Sequence, residues 1–274
     1  MKLTPAKTNE QQAAAAFSKQ SVIFDALYSG NTIIQYKRKR VRDHVSQFLA
    51  PNSTILELNS GTGEDAIWFA QQGHRVHATD ISTGMQNVMV EKIQKAGLAN
   101  NISYELCSFT ELDQLKHKGP YDLVFSNFAG LNCTGELDKV LHSLTALLKP
   151  GGMATLVVLP PFCLWEALLA LKGQFKTAFR RSFSSKGVTA HLEGKHFTCW
   201  YYRPSYITSQ AKSQFDVYGF EGLCTIVPPS YLEHFPQKRP SLYRFLMTQE
   251  NRLKSTWPWK YMGDYYIISL RKKG

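Results

Sequence analysis

The sequence predicts an α/β protein built on a doubly wound, mostly parallel sheet. Three observations carry that expectation. Residues 55–82, ILELNSGTGEDAIWFAQQGHRVHATDIS, run from an apolar strand through a glycine turn and a helical stretch into a second strand ending at Asp80, which is the order of a βαβ unit. Strand-length and helix-length segments then alternate as far as residue 160, as a parallel sheet with crossover helices requires. The later strands at 121–126 and 153–159 are largely apolar, as expected where helices cover both faces of a sheet.

Each element has its own signal. Residues 1–50 read as an N-terminal helical segment, with an apolar face made by Ile34, Val41, Val45 and Phe48. The run YKRKRVR at 36–42 therefore reads as the solvated face of that helix. Ile55, Leu56 and Leu58 make the first strand. Ile67, Trp68 and Ala70 then give a short helix that ends at Gly73, a C-cap glycine. Residues 75–79 are the second strand, and Ser82 is placed to N-cap a helix running to Gly97. A short alternating strand at 102–106, a strand at 121–126, a helix at 135–148 and a buried strand at 153–159 follow. Beyond residue 160 the pattern changes. An amphipathic helix is expected over 162–183 through Leu164, Leu168, Leu171, Phe175 and Phe179. After it come the stretch HLEGKHFTCWYYRPSYI at 191–207, a helix, a strand near 220–227, an aromatic and basic insertion over 231–262, and a last strand at 265–270.

The glycine turn says what the unit holds. Gly61 and Gly63 allow a sharp turn and a close approach of backbone to ligand, and the following helix aims free N–H groups at the same place. Asp80, at the tip of the second strand, is placed to accept both hydroxyls of a ribose. Gly61-Thr62-Gly63-Glu64-Asp65-Ala66 also fits the dinucleotide pattern Gly-x-Gly-x-x-Ala. Two features weigh against a dinucleotide. Glu64 and Asp65 at the helix N-terminus would repel a pyrophosphate, and Glu57 in the first strand has no task in that fingerprint. A ligand with an ammonium and a sulfonium welcomes such carboxylates, and S-adenosylmethionine has both.

At this point the chain resembles a known family. ILELNSGTGEDAIWFAQQGHRVHATDIS, YDLVFSNFAGLN at 121–132 and LLKPGGMATLVVLP at 147–160 are similar, in order, to the landmarks of class I S-adenosylmethionine-dependent methyltransferases. The resemblance covers roughly residues 53–160. It implies a Rossmann-like methyltransferase fold with a seven-stranded sheet and a helical, aromatic cap, S-adenosyl-L-methionine as cofactor, and a cofactor site of Glu57, Asn59, Ser60, Gly61, Gly63, Asp80, Ile81, Ser108, Phe109 and Asn127. The implied organisation is an N-terminal helical segment (1–50) covering the cofactor site, an S-adenosylmethionine-binding core (51–160), and cap insertions with the last two strands (161–274). The chain departs from the family at two places. Asn59 stands where the family usually has glycine, and Cys107-Ser108 stands where it often has Gly-Asp. An aspartate at that second place commonly accepts the adenine amino group, while Phe109 is placed to stack on the adenine.

Composition narrows the partners. The chain has 274 residues and a net charge of +11, divided as +5 over residues 1–50, −4 over 51–160 and +10 over 161–274. Basic flanks around an acidic core favour an anionic substrate, nucleic acid or a membrane surface. Of the 34 Phe, Trp and Tyr residues, 22 lie in 161–274, which suits a cap over a hydrophobic or aromatic substrate. Asn127 opens Asn-Phe-Ala-Gly rather than the Asn-Pro-Pro-aromatic sequence that holds the amino group of a flipped base, and no RNA-binding module is appended. The five cysteines show no paired spacing, so neither a disulfide framework nor a metal site is expected. The polar N-terminus carries no signal peptide, and no apolar run has membrane-spanning length. A cytoplasmic protein with no membrane insertion is expected.

The expected function is methyl transfer by in-line displacement to a small metabolite that is hydrophobic, aromatic or anionic. An RNA or DNA methyltransferase and a non-catalytic cofactor-binding scaffold are the alternatives. Positioning supplies most of the catalysis in such a displacement, and a base is needed only for a nucleophile that must lose a proton. His196 and Tyr201 are the catalytic candidates, from a cluster that also holds Tyr202 and Arg203; His191 and Glu193 qualify as bases by chemistry alone.

Overall fold

The computed structural model describes residues 6–182 and 186–274. Its centre is a seven-stranded sheet of β1 (Thr54–Leu58), β2 (Arg75–Asp80), β3 (Ile102–Leu106), β4 (Tyr121–Ser126), β5 (Leu148–Val158), β8 (Phe215–Leu223) and β9 (Tyr265–Lys272), in the order β3-β2-β1-β4-β5-β9-β8. Strands β1 to β5 pair in parallel. The last strand, β9, runs antiparallel between β5 and β8. The order reverses between β1 and β4, so their carboxyl ends open a crevice at the switch point. A separate hairpin, β6 (Val188–Leu192) with β7 (Lys195–Cys199), lies outside this sheet.

Helices close both faces. The sequence around Ile55, Phe69, Met89 and Phe125 packs into one buried layer, and Leu141, Leu144, Leu156 and Ile268 into the other. Helix α3 (Glu64–Gln71) starts at Gly63, whose φ is +78°. A Cβ there would sit 2.4 Å from the Met89 side chain, so glycine is required twice over, by conformation and by space. Helix α4 (Thr83–Lys95) is N-capped by Ser82, whose hydroxyl accepts from the Met85 N–H. Helix α5 (Leu137–Leu147) leads into β5.

Two helices precede the sheet, α1 (Ala6–Ser29) and α2 (Thr32–Ser46). The first lies over the carboxyl ends of β1 and β2. It is latched along its length: Asn9 bonds the backbone of Cys133 and Thr198, Ser18 meets Ser82 at 2.7 Å, and Asp25 accepts from Thr62 and Lys92. The contact with α4 is tight, because a Cβ on Gly84 would stand 2.6 Å from the Ser18 carbonyl oxygen. Gly84→Ala is therefore expected to push α1 outward, at a cost of about 1–3 kcal/mol. Thermal melts check the cost, and faster amide exchange in residues 6–29 checks the direction. Unchanged exchange there would sink the idea.

Three expectations need correction. The basic run at 36–42 is not a solvated face. Lys37 and Arg40 are almost fully buried, Arg38 and Arg42 lean on Asp65, and Lys39 is the member of the run left exposed to solvent. Spacing alone showed a positive helix face and not the acids that other elements bring to it. The single helix expected over 162–183 is three short helical pieces, Leu164–Ala167, Leu168–Lys172 and Phe175–Ala178. The chain reverses at Gly173, in the left-handed conformation, and Phe183 lies outside the described residues. The strand expected near 220–227 begins earlier, at Phe215, and ends at Leu223. It stops there because the Glu250 carboxylate takes the N–H groups of Thr225, Ile226 and Val227. Among the described residues, no helix is long and apolar enough to cross a membrane.

Candidate active site

The crevice at the switch point has two joined lobes that share Phe17, Phe24, Asn59, Gly61, Asn127 and Phe128. The first lobe, of about 140 Å³, is lined by Asp80, Ile81, Ser82, Phe109, Gly130 and Cys133 from the sheet side, and by Glu10, Ala13 and Ala14 from α1. The alanines let the helix come close. The second lobe, of about 320 Å³, is lined by Glu57, Ser60, Thr62 and Asp65 from β1, its turn and α3, and by Tyr28, Ile34, Lys37, Arg38, Ser230 and Tyr265 from α1, α2 and the later chain.

Asp80 lines the first lobe at the end of β2, beside the turn that follows β1. Its Oδ2 accepts from the Gly61 N–H at 2.8 Å and its Oδ1 from the Ser82 N–H at 2.7 Å. Burial pushes its pKa up, and the backbone donors partly offset that. Each carboxylate oxygen retains a lone pair for a further donor. Asn59 is left-handed, at φ +47°, where asparagine is tolerated better than most residues. Its amide donates to the Asn127 carbonyl and its carbonyl accepts from Ser126, so it ties the end of β1 to the end of β4.

The acids of the second lobe are in two different states. Burial drives the Glu57 pKa well above the usual carboxylate value, and the nearby Asp65 adds to the rise. Its Oε2 is buried with no hydrogen-bond partner. Burial acts against Asp65 as well, but Arg38, Arg42 and the Asn127 amide overcome it and hold that carboxyl below its ordinary value. Glu64 is likewise paired with Lys92. Lys37 is fully buried, 3.1 Å from the Ser230 hydroxyl and 3.6 Å from Asp264, with its ammonium 4.5 Å from the centre of the Tyr265 ring. Burial works against its charge, yet Tyr265 and Asp264 keep its pKa above the ordinary lysine value. Phe128 and Ala129 are both left-handed, a strain of about 1–2 kcal/mol each. That strain turns the Phe128 ring into the crevice, where the Arg38 guanidinium stacks on it at 4.7 Å.

The structure brings Glu57, Asn59, Ser60, Gly61, Asp80, Ile81, Phe109 and Asn127 to the crevice wall. Gly63 turns toward Met89, and Ser108 stands behind the wall, donating to Glu10. His196 and Tyr201 do not line either lobe. His196 is exposed and faces His191 across the β6–β7 register, with ring centres 4.5 Å apart. Glu193, at φ +48°, and Gly194, at φ +74°, form the tip of that hairpin. Tyr201 packs against Arg181, and burial raises its pKa to about 12. The hairpin instead supports α1 through Phe197, which packs on Ala13, Ala16 and Phe17. The lining residues that sequence reasoning missed include Glu10, Phe17, Phe24, Tyr28, Lys37, Arg38, Phe128, Ser230 and Tyr265. Phe17 and Phe24, two turns apart on one helix face, were the signal available for α1.

Residues 55–152 match the methyltransferase domain family. That match, on a seven-stranded sheet whose last strand is inserted antiparallel, decides the assignment. Residues 55–152 carry a methyltransferase domain, on the class I S-adenosylmethionine-dependent fold. The domain is 35% identical over 106 residues to the ubiquinone/menaquinone biosynthesis C-methyltransferase of Vibrio parahaemolyticus, a match spanning 37% of this chain and 39% of that protein's length. Among solved structures, it is similar to the 1,6-didemethyltoxoflavin-N1-methyltransferase of Burkholderia thailandensis, with a TM-score of 0.61, 14% identity, and coverage of 100% of this chain and 93% of that one. It is also similar to the [4+2]-cyclase SpnF, with a TM-score of 0.60, 15% identity and 97% of each chain covered. At such identities the two structures speak for the methyltransferase fold alone. The cyclase shows that the fold hosts other chemistry.

Proposed function

We propose that the chain moves a methyl group from S-adenosylmethionine to a small, flat, hydrophobic acceptor that carries an anionic or strongly polar oxygen. The observation that carries this reading is the two-lobed crevice. One lobe offers Asp80, Ile81 and Phe109 to a nucleoside, and the other sets carboxylates opposite an aromatic wall with a buried lysine. Unpartnered buried acceptors, Glu57 Oε2 and Glu10 Oε1, fit a ligand rich in donors and positive charge.

Bound S-adenosylmethionine supplies a methyl group activated by a sulfonium. The chain's own residues do the rest. Asp80 would accept the ribose hydroxyls, Phe109 and Ile81 would hold the base between them, and Glu57 would face the cationic end. Tyr28, Phe128 and Tyr265 would clamp the acceptor ring, while Lys37 and Ser230 hold its oxygen. Helix α1 closes over both ligands and excludes water. Such positioning at near-attack distance supplies the rate. Among the described residues, no histidine lines either lobe, so this reading has an acceptor that arrives ionised or as an activated carbon. The basic flanks support a small molecule over nucleic acid, since Lys37, Arg40 and Arg181 are turned inward onto Asp264, Glu221 and Glu166.

Calorimetric titration with S-adenosylmethionine, S-adenosylhomocysteine and NADH tests the cofactor. Binding of the first two without NADH justifies a radiolabelled methyl-transfer screen over hydroxylated aromatics and RNA. NADH binding alone, or cofactor binding with no turnover on any acceptor, overturns the proposal. Glu57 adds a sign. Its raised pKa means that a cationic ligand must draw a proton off it, so affinity should rise as pH rises above the ordinary carboxylate range. Titrations in buffers of different ionisation enthalpy should show net proton release. Glu57→Gln should bind about tenfold more weakly and lose the pH dependence. A flat pH profile in the native protein would remove Glu57 from the site.

A further inference from the structure

Glu10 is the one acid that α1 sends into the first lobe, and it is unusually placed. It is 3% exposed. Its Oε2 accepts from Ser108 at 2.5 Å and from Thr110 at 2.8 Å, so two hydroxyls at the end of β3 aim the carboxylate. Its Oε1 is buried without a hydrogen-bond partner, in a lobe that Ala13, Ile81 and Phe109 also line. A buried acceptor left unmade is costly. An unmade acceptor in the lobe that also holds Phe109, Ile81 and the carboxylate suited to a ribose fits the donor edge of a base. Ser108 itself stands where the resemblance implies an aspartate, and it spends its hydroxyl on Glu10 instead.

We propose that Glu10 accepts the 6-amino group of the cofactor's adenine, and that adenine recognition therefore tightens α1 over the crevice. This rests on the cofactor reading above. Because the carboxylate rides on the helix, a base that satisfies Oε1 adds one more tie between α1 and the crevice, and a base that cannot donate there leaves α1 with its protein contacts alone.

The test compares S-adenosylhomocysteine with S-inosylhomocysteine, whose base presents a carbonyl where adenine has its amino group. The native protein should bind the adenosyl ligand at least tenfold more tightly, and only that ligand should slow amide exchange in residues 6–29. Glu10→Gln keeps the shape of the side chain, and the two hydroxyls hold its carbonyl while its amide group faces the base. It should weaken adenosyl binding about 10- to 100-fold and narrow or invert the preference. Ser108→Ala with Thr110→Val leaves Glu10 in place but removes the hydroxyls that aim it, and should narrow the preference as well, a readout that survives if Glu10→Gln does not fold. Retained affinity and retained discrimination in the folded variants overturn the proposal. Equal binding of both ligands by the native protein overturns it too, while leaving the cofactor reading intact. Binding of neither overturns the cofactor reading and this proposal with it.

Discussion

Asp80→Ala is expected to weaken S-adenosylmethionine binding at least a hundredfold while the sheet still folds. Three losses combine in that one change. In the proposed complex the ribose hydroxyls would lose both acceptors, while the Gly61 N–H loses the oxygen that shapes the glycine turn and the Ser82 N–H loses the oxygen that starts α4. A hydrogen bond to a charged group is worth about 1.5–3 kcal/mol, and a tenfold change in affinity is about 1.4 kcal/mol, so the ribose contacts alone account for the hundredfold. Asp80→Asn should fall between, because its single carbonyl serves one backbone donor while its amide turns a donor toward the other. Calorimetry on the two variants, with a thermal melt to confirm folding, is the measurement. Affinity within threefold of the native value for Asp80→Ala would mean that the ligand is not held by a ribose at this position.

What the sequence made legible was chemistry carried by neighbours in the chain. Glu57, Gly61 and Asp80 belong to one βαβ unit, and their relation follows from the local geometry of a strand, a turn and a helix. The buried members of the basic run at 36–42 find their acids far along the chain, and only exposed Lys39 pairs locally, with Asp43. The carboxylate that Arg40 meets is Glu221, 181 positions away, and Lys37 reaches Asp264 at the start of the last strand. A helix face rich in lysine and arginine looks the same on paper whether water or buried acids lie opposite it. Glu10 was hidden for the same reason, since only the docking of α1 brings it to Ser108, 98 positions on. His196 and Tyr201 erred the other way. They are dense in polar chemistry along the chain, but the β6–β7 register pairs His196 with His191 at an exposed hairpin, and the hairpin spends its apolar side on α1. The expected helix over 162–183 rested on an apolar stripe whose members Leu168, Leu171 and Phe175 are exposed, so the stripe had no core to face.

Glu221→Ala is expected to lower stability by about 3–5 kcal/mol, the range for removing one partner of a buried ion pair. Glu221 Oε2 receives Arg40 at 2.9 Å and Lys254 at 3.0 Å, and its Oε1 lies 2.9 Å from His44 Nδ1. The far nitrogen of His44 reaches Ser269, which meets Thr155, so the cluster pins α2 to β8, β9 and β5. Burial would raise the Glu221 pKa, but His44, Arg40 and Lys254 outweigh it and bring it down from 4.5 to about 2. A depressed carboxyl contributes stability that is complete above its unfolded value and is lost as pH falls through its folded value. The acid limb of the native melting curve should therefore decline between pH 4.5 and about 2, by about 3 kcal/mol for this group. Glu221→Gln, which keeps the shape without the charge, should flatten that limb, and Glu221→Ala should also melt about 10 °C lower near neutrality. The consequence reaches the crevice, because α2 is the helix that carries Lys37 and Arg38 to its wall. A loosened α2 should weaken acceptor binding more than cofactor binding. If both variants melt within 2 °C of the native protein and keep its acid limb, the cluster does not hold α2 and the second lobe must be shaped by other contacts.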